Sequence, residues 1–158
     1  MARGMQDFWI SSEIDILSQT LQYLTQRPYY GDGKAMMESG ISLNMSTFEN
    51  IVNLTGKGRV YGGIVTFRGM ATDNLVIQFI LDAEVLSYTT LESYWKYRIH
   101  GGASTPFRFV KYDEVNQIYA FSINAYIQYE VNFVIQARNV YSNAGIANVI
   151  LFYAAAEE

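Results

Sequence analysis

The sequence predicts a mainly β fold, an antiparallel β-sandwich of jelly-roll type with one N-terminal α-helix. Three observations predict it: a two-residue hydrophobic period dominates the chain beyond residue 40, glycine-bearing turns punctuate the alternating runs, and only one segment carries a clear helical stripe. The plainest alternation is "IYAFSINAYIQYEVNFVIQAR", residues 118–138. Every odd position from Tyr119 to Ala137 is apolar, and the even positions are mostly Ser, Asn, Gln and Glu. Strand side chains point alternately to opposite faces, so this run has one oily and one wet face. From Tyr119 to Ala137 a straight strand would extend about 60 Å, against about 40 Å for the diameter of a compact domain of this length. A two-residue turn at Asn124-Ala125 would set oily residues against wet ones and lacks the glycine such turns use. A three-residue connection, pairing Ile123 with Ile127 and Phe121 with Tyr129, would restore the match; a strand that bends from one sheet into another keeps it with no turn, and the bend is the expectation.

The elements follow in order. Ser11 or Ser12 caps a helix over residues 12–26, Glu13 and Asp15 suit its positive end, Ile14, Leu17, Leu21 and Leu24 form its apolar stripe, and Pro28 stops it. "RPYYGDGKAMMESG" reads as a loop with Gly-Asp-Gly as its turn. "ISLNM" alternates, and "FENIVNL" and "VYGGIVTF" flank the turn "TGKG". "LVIQFIL" is apolar on both faces and therefore central, and "LDAEVL" is a tight reversal. "TLESYWKYRI" suits a short helix, "HGGASTP" a loop, and "FRFVKY" and "ANVILFY" further strands. Seven or eight strands result. The organisation is a helical docking segment, residues 1–30, ahead of an antiparallel sandwich, residues 31–158.

Composition narrows the function. Half of the 158 residues are hydrophobic and 16% are charged, a dry surface for a free monomer. A net charge of −4 argues against binding to a phosphate backbone, so no nucleic acid is expected as partner. Zero cysteines exclude disulfides, thiolate nucleophiles and cysteine-ligated metals. No apolar run approaches the length of a membrane span, and "MARGMQDFWISSEIDIL" lacks the core of a signal peptide, so a chain made in a cytoplasm, with no membrane partner, is expected.

The chemical motifs are few. "TGKGR", Thr55 to Arg59, lacks the upstream glycine of a phosphate loop, and Lys57 is followed by Gly where Ser or Thr is needed, so it reads as a strand-entry turn. His100 is the only histidine and has no cysteine to share a metal with. Asp82 and Glu84 in "LDAEVL", and Asp113 and Glu114 in "YDEV", are the paired acids a glycosidase would use, but acids at turns are ordinary turn formers. The expectation is no enzyme, no cofactor and no metal. Thirteen Tyr, nine Phe and two Trp are the remaining signal. Tyr94, Trp95 and Tyr97, near Tyr88, could stack on sugar rings, while most tyrosines suit core or subunit contacts. Phe8, Trp9 and Ile10, with Leu17 and Leu21 of the helix stripe, are the candidate protein-interface residues.

Residues from about 50 to 155 resemble a kind of virion protein of tailed bacteriophages. The resemblance is carried by "LTGKGRVYGGIV", the acidic turn Asp82-Ala83, Lys111-Tyr112-Asp113, a long alternating strand ending near Asn139, and a last strand closing on Tyr153. Ala83 stands where the family often has Gly. The resemblance implies a β-sandwich head or tail component in the virion, packed against other virion proteins or its own copies as a homo-oligomer, with no catalytic residue. The alternative is a lectin-like module that binds a host glycan through Tyr94, Trp95 and Tyr97.

Overall fold

The computed structural model describes residues 32–97, 107–125 and 127–156. They form two antiparallel sheets and one short helix: β1 Gly33–Ser42, β2 Glu49–Thr55, β3 Gly58–Arg68, β4 Leu75–Leu81, β5 Glu84–Thr90, α1 Leu91–Lys96, β6 Phe107–Asp113, β7 Ile118–Ile123, β8 Ile127–Tyr129, β9 Asn132–Asn139 and β10 Ile146–Ala155. One sheet has the order β1-β10-β3-β7-β6, with β8 also on β3, and the other has β2-β9-β4-β5. The helix expected over residues 12–26 lies outside the described residues, as do His100 and Phe8, Trp9, Ile10, Leu17 and Leu21 of the candidate interface.

Two departures from expectation explain why ten strands are described where seven or eight were expected. The long alternating run becomes three strands, and "GKAMMESG", expected as loop, forms most of β1. β1 pairs with β10 from Gly33↔Ala154 to Ser42↔Ile146. Of its side chains only Met36 and Ile41 pack on the core, so it leaves almost no alternation in the sequence and is a strand by virtue of its backbone ladder.

The sheets face each other across one buried cluster. Leu75, Ile77, Phe79, Phe133 and Ile135 from one sheet meet Val65, Phe67, Phe121, Val149 and Leu151 from the other. Phe79 stacks on Phe107 with ring centroids 4.8 Å apart, and Phe107 lies 4.9 Å from Phe121, so aromatic contacts bridge the layers directly. Two glycines of the "TGKG" turn do separate jobs. Gly56 adopts φ +81, and Gly58 leaves room for the Tyr129 ring, since a Cβ there would collide with its hydroxyl.

The run at residues 118–138 changes sheets without a hairpin. β7 and β8 both lie antiparallel along β3, with Ile123 opposite Gly63 and Ile127 opposite Val60. The chain then turns through Glu130 and Val131 and continues as β9 in the other sheet, between β2 and β4. Among the described residues of the run, the apolar positions Ala125 and Val131 are the ones exposed, at the link between β7 and β8 and at this corner.

The Asp82-Ala83 turn holds this corner. One Asp82 carboxylate oxygen accepts the Glu130 and Val131 N–H groups, both at 2.7 Å, and the Asn132 N–H at 3.4 Å. The Asp82 N–H donates to the Asn132 carbonyl at 2.9 Å, and the Ala83 N–H donates to the Asn132 side-chain oxygen at 2.8 Å. From the other side the Gly56 N–H donates to the Val131 carbonyl at 2.8 Å, and Lys57 pairs with Glu130 at 2.8 Å. Burial raises the Asp82 carboxyl, but the three backbone donors together outweigh it and leave the group below its ordinary value. Both turn residues have positive φ, +51 at Asp82 and +66 at Ala83, as a two-residue hairpin with the right twist requires.

Ala83→Gly is expected to stabilise the protein. It relieves about 1–2 kcal/mol of left-handed strain against roughly 0.5–1 kcal/mol of added chain entropy, and the melting temperature should rise by up to a few degrees in calorimetry. Asp82→Asn should cost about 1–2 kcal/mol at pH 7 by removing charge-assisted hydrogen bonds. A carboxyl lowered in the folded state contributes stability above its ordinary value of 3.8 and loses it as pH falls through the folded value. The gap between wild type and Asp82→Asn in urea melts should therefore shrink below pH 3.8.

Candidate functional site

The side chains with the most chemistry in one place gather where α1 meets β6. Thr90 caps α1, its hydroxyl accepting the Ser93 N–H at 3.2 Å, and Lys96 pairs with Glu92 one turn earlier. Leu91 and Tyr94, three residues apart on one face, anchor the helix in the core. That leaves Trp95 facing outward over β6.

Trp95 stacks on Tyr112 with centroids 4.3 Å apart and planes 7° from parallel, and meets Phe109 edge-on at 5.6 Å. An open cleft of about 540 Å³ lies beside this pair, lined by Trp95, Lys111, Tyr112, Asp113, Glu114 and Val115. The Tyr112 hydroxyl donates to Glu114 at 2.8 Å and lies 3.2 Å from the Thr72 hydroxyl. Burial, reinforced by the negative charge of Glu114, pushes the Tyr112 phenol up to about 12. Asp113 accepts the Asn116 N–H and side-chain amide, both at 3.0 Å, and sits 3.5 Å from Lys111. The Asn116 hydrogen bonds hold its carboxyl below the ordinary value.

The three sequence-selected rings therefore have three different fates. Tyr94 is 2% exposed, its ring edge-on to Phe107 at 4.7 Å, and so is not presented for stacking on a ligand. Trp95 is 41% exposed, but Tyr112 covers one of its faces. Tyr97, just past the helix, is 75% exposed. Tyr112 and Phe109 complete the platform, and sequence reasoning missed them because they are three residues apart and a strict period of two puts them on opposite faces. A bulge between Phe109 and Lys111 inserts Val110 and returns Tyr112 to the side of Phe107 and Phe109.

The paired acids are structural in their contacts. Asp82 binds the corner backbone, Asp113 organises the β6–β7 turn, and Glu114 accepts a hydrogen bond from the Tyr112 hydroxyl. Among the described residues, no three His, Cys, Asp or Glu side chains are grouped to hold a metal ion, and no helix is long and apolar enough to cross a membrane. What the platform can do is present the exposed part of the Trp95–Tyr112 pair to a flat apolar group, beside one ammonium and two carboxylates. The sequence matches no protein-family model and no curated protein.

Tyr112 and Tyr129, the latter also pushed up to about 12 by burial, should titrate late. Burial also raises Tyr94 and Tyr119, so spectrophotometric titration should show a late group of phenols that includes Tyr112 and Tyr129, and Tyr112→Phe should remove one of that group. A phenol raised in the folded state contributes stability that is fully present below the ordinary value of 10.0 and lost as pH climbs towards about 12, so the protein should weaken across that window.

Proposed function

We propose that the protein is a non-catalytic virion structural or assembly subunit, a head or tail component of a tailed phage, which packs against neighbouring subunits. In this reading the fold is a jelly-roll-like sandwich preceded by an N-terminal helical docking segment. The observation that carries the packing role is the margin at β5. Among the described residues this strand is hydrogen-bonded to β4 alone, and Val85, Leu86 and Tyr88 along it are each more than half exposed. Tyr88 is held ready rather than loose: Arg138 donates to its hydroxyl at 3.1 Å and lies 4.7 Å over the Phe48 ring, itself 5.9 Å from Tyr88. Exposed apolar side chains at a sheet margin beside a pinned Tyr–Arg pair are what a protein interface uses. The resemblance of residues 50–155 to phage virion proteins supplies the setting.

The test is solution mass by light scattering across a range of concentration. Wild type should form a defined oligomer or associate with concentration, and Leu86→Lys should shift the mass toward monomer by weakening association at least tenfold, the effect of about 1.4 kcal/mol. A wild-type chain that stays monomeric at high concentration would remove self-packing from the proposal. The Trp95–Tyr112 stack favours one second reading, a lectin-like surface for a host glycan. That reading expects binding on a glycan array to be lost in Trp95→Ala, and it fails if the array is blank for wild type.

A further inference from the structure

The outer face of the four-stranded sheet carries a row of polar side chains that take no part in the core. The register sets Asn50 on β2 opposite Gln136 on β9, Gln136 opposite Gln78 on β4, and Gln78 opposite Tyr88 on β5. Residues directly opposite share a face, so three carboxamides and a phenol stand abreast across about 14 Å. The alternate positions Ile77, Phe79 and Ile135 point the other way, into the core. Gln136 donates from Nε2 to Oδ1 of Asn50 at 2.8 Å, which fixes how these two amides are turned. A carboxamide both donates and accepts, so this one bond leaves groups of both kinds in the row for a ligand.

Arg138 closes the row on one side. It lies two residues beyond Gln136 on β9, hence on the same face, opposite Val76. Its guanidinium donates to the Tyr88 hydroxyl at 3.1 Å and lies 4.7 Å over the Phe48 ring. Among the described residues no carboxylate pairs with it, and its Nε–H is buried without a hydrogen-bond partner. A guanidinium held between two aromatic side chains and lacking an anion is preorganised for a carboxylate.

We infer that this face binds an acidic oligosaccharide. A sugar carboxylate sits on Arg138, ring hydroxyls bond Gln78, Gln136 and Asn50, and one ring lies against Tyr88, which is 55% exposed. Sugar hydroxyls donate and accept as carboxamides do, and the C–H face of a sugar ring suits an aromatic side chain. A protein contact would need an apolar centre, which a row of carboxamides does not supply. The site is separate from the Trp95–Tyr112 platform, shares only Tyr88 with the β5 margin, and does not depend on a virion role.

The test is calorimetric titration of the full-length protein with tri-galacturonate. Wild type should bind it, and its methyl ester, which lacks the charge, should bind roughly tenfold or more weakly. Arg138→Gln and Gln78→Ala should each weaken binding by roughly tenfold or more, with melting curves taken to show that each variant is folded. If Arg138→Gln does not fold, the methyl ester and Gln78→Ala carry the test. Trp95→Ala should bind as wild type does. No binding at millimolar tri-galacturonate would overturn the proposal, as would a folded Arg138→Gln that binds unchanged. Equal affinity for hexaglutamate would give Arg138 to an acidic protein segment, and loss of binding in Trp95→Ala would move the sugar to the other platform. Either result would overturn it too.

Discussion

Much of this architecture depends on one carboxylate. Asp82 sits in a two-residue turn between β4 and β5, and it binds the backbone of Glu130, Val131 and Asn132, where the long alternating run leaves one sheet for the other. That crossing point sets two registers together. On one side β8 is locked to β3, and on the other β9 is locked between β2 and β4. Because side chains alternate with a period of two, a slip of one residue at the corner would turn every β9 side chain to the wrong face. Phe133, Ile135 and Ala137 would leave the core, and Asn132 and Gln136 would enter it. The hydrogen bonds at Asp82 are few, but each defends a whole strand of buried area.

The far end of β9 is secured by a comparable device. Asn139 is buried, and its side chain donates to the Ala144 carbonyl at 2.7 Å and to Ser142 at 3.1 Å while accepting from the Tyr141 N–H at 3.1 Å. An amide with its donors and acceptor satisfied in this way folds the β9–β10 connection back on itself. The strand that changes sheets is thus pinned at both ends by polar side chains acting on loop backbone, while its middle is held by packing.

What was legible in the sequence follows from this division of labour. Alternation in residues 118–138, the apolar run of β4, the "TGKG" turn, the Asp82-Ala83 reversal and the short helix at Leu91–Lys96 are local patterns, and each appears where its residues place it. β1 was illegible because long-range pairing with β10 decides it, and its own side chains are mostly exposed. The aromatic platform was half legible. The cluster Tyr94, Trp95, Tyr97 drew notice by composition, but helical geometry sends Tyr94 into the core and Trp95 out. The partner ring at Tyr112 depends on a bulge that no spacing rule announces.

Tyrosine richness is likewise two signals mixed together. Tyr94, Tyr119 and Tyr129 are core residues, so part of the count says nothing about partners. Among the described residues the outward ones, Tyr61, Tyr88, Tyr97 and Tyr141, are spread along the chain. The apolar margin at β5 is a small surface, made by Val85, Leu86 and Tyr88. Three side chains bury far less than the roughly 800 Å² per partner of a stable pairwise interface. Such a margin is useful chiefly where the same weak contact is repeated around a closed or extended array, since each added neighbour raises the effective concentration of the next. The sparse charge of the chain, 16% of residues, fits that arrangement because little surface repulsion opposes close packing of identical copies. In the proposed assembly, a margin of this size acts by summation of small contacts over many copies.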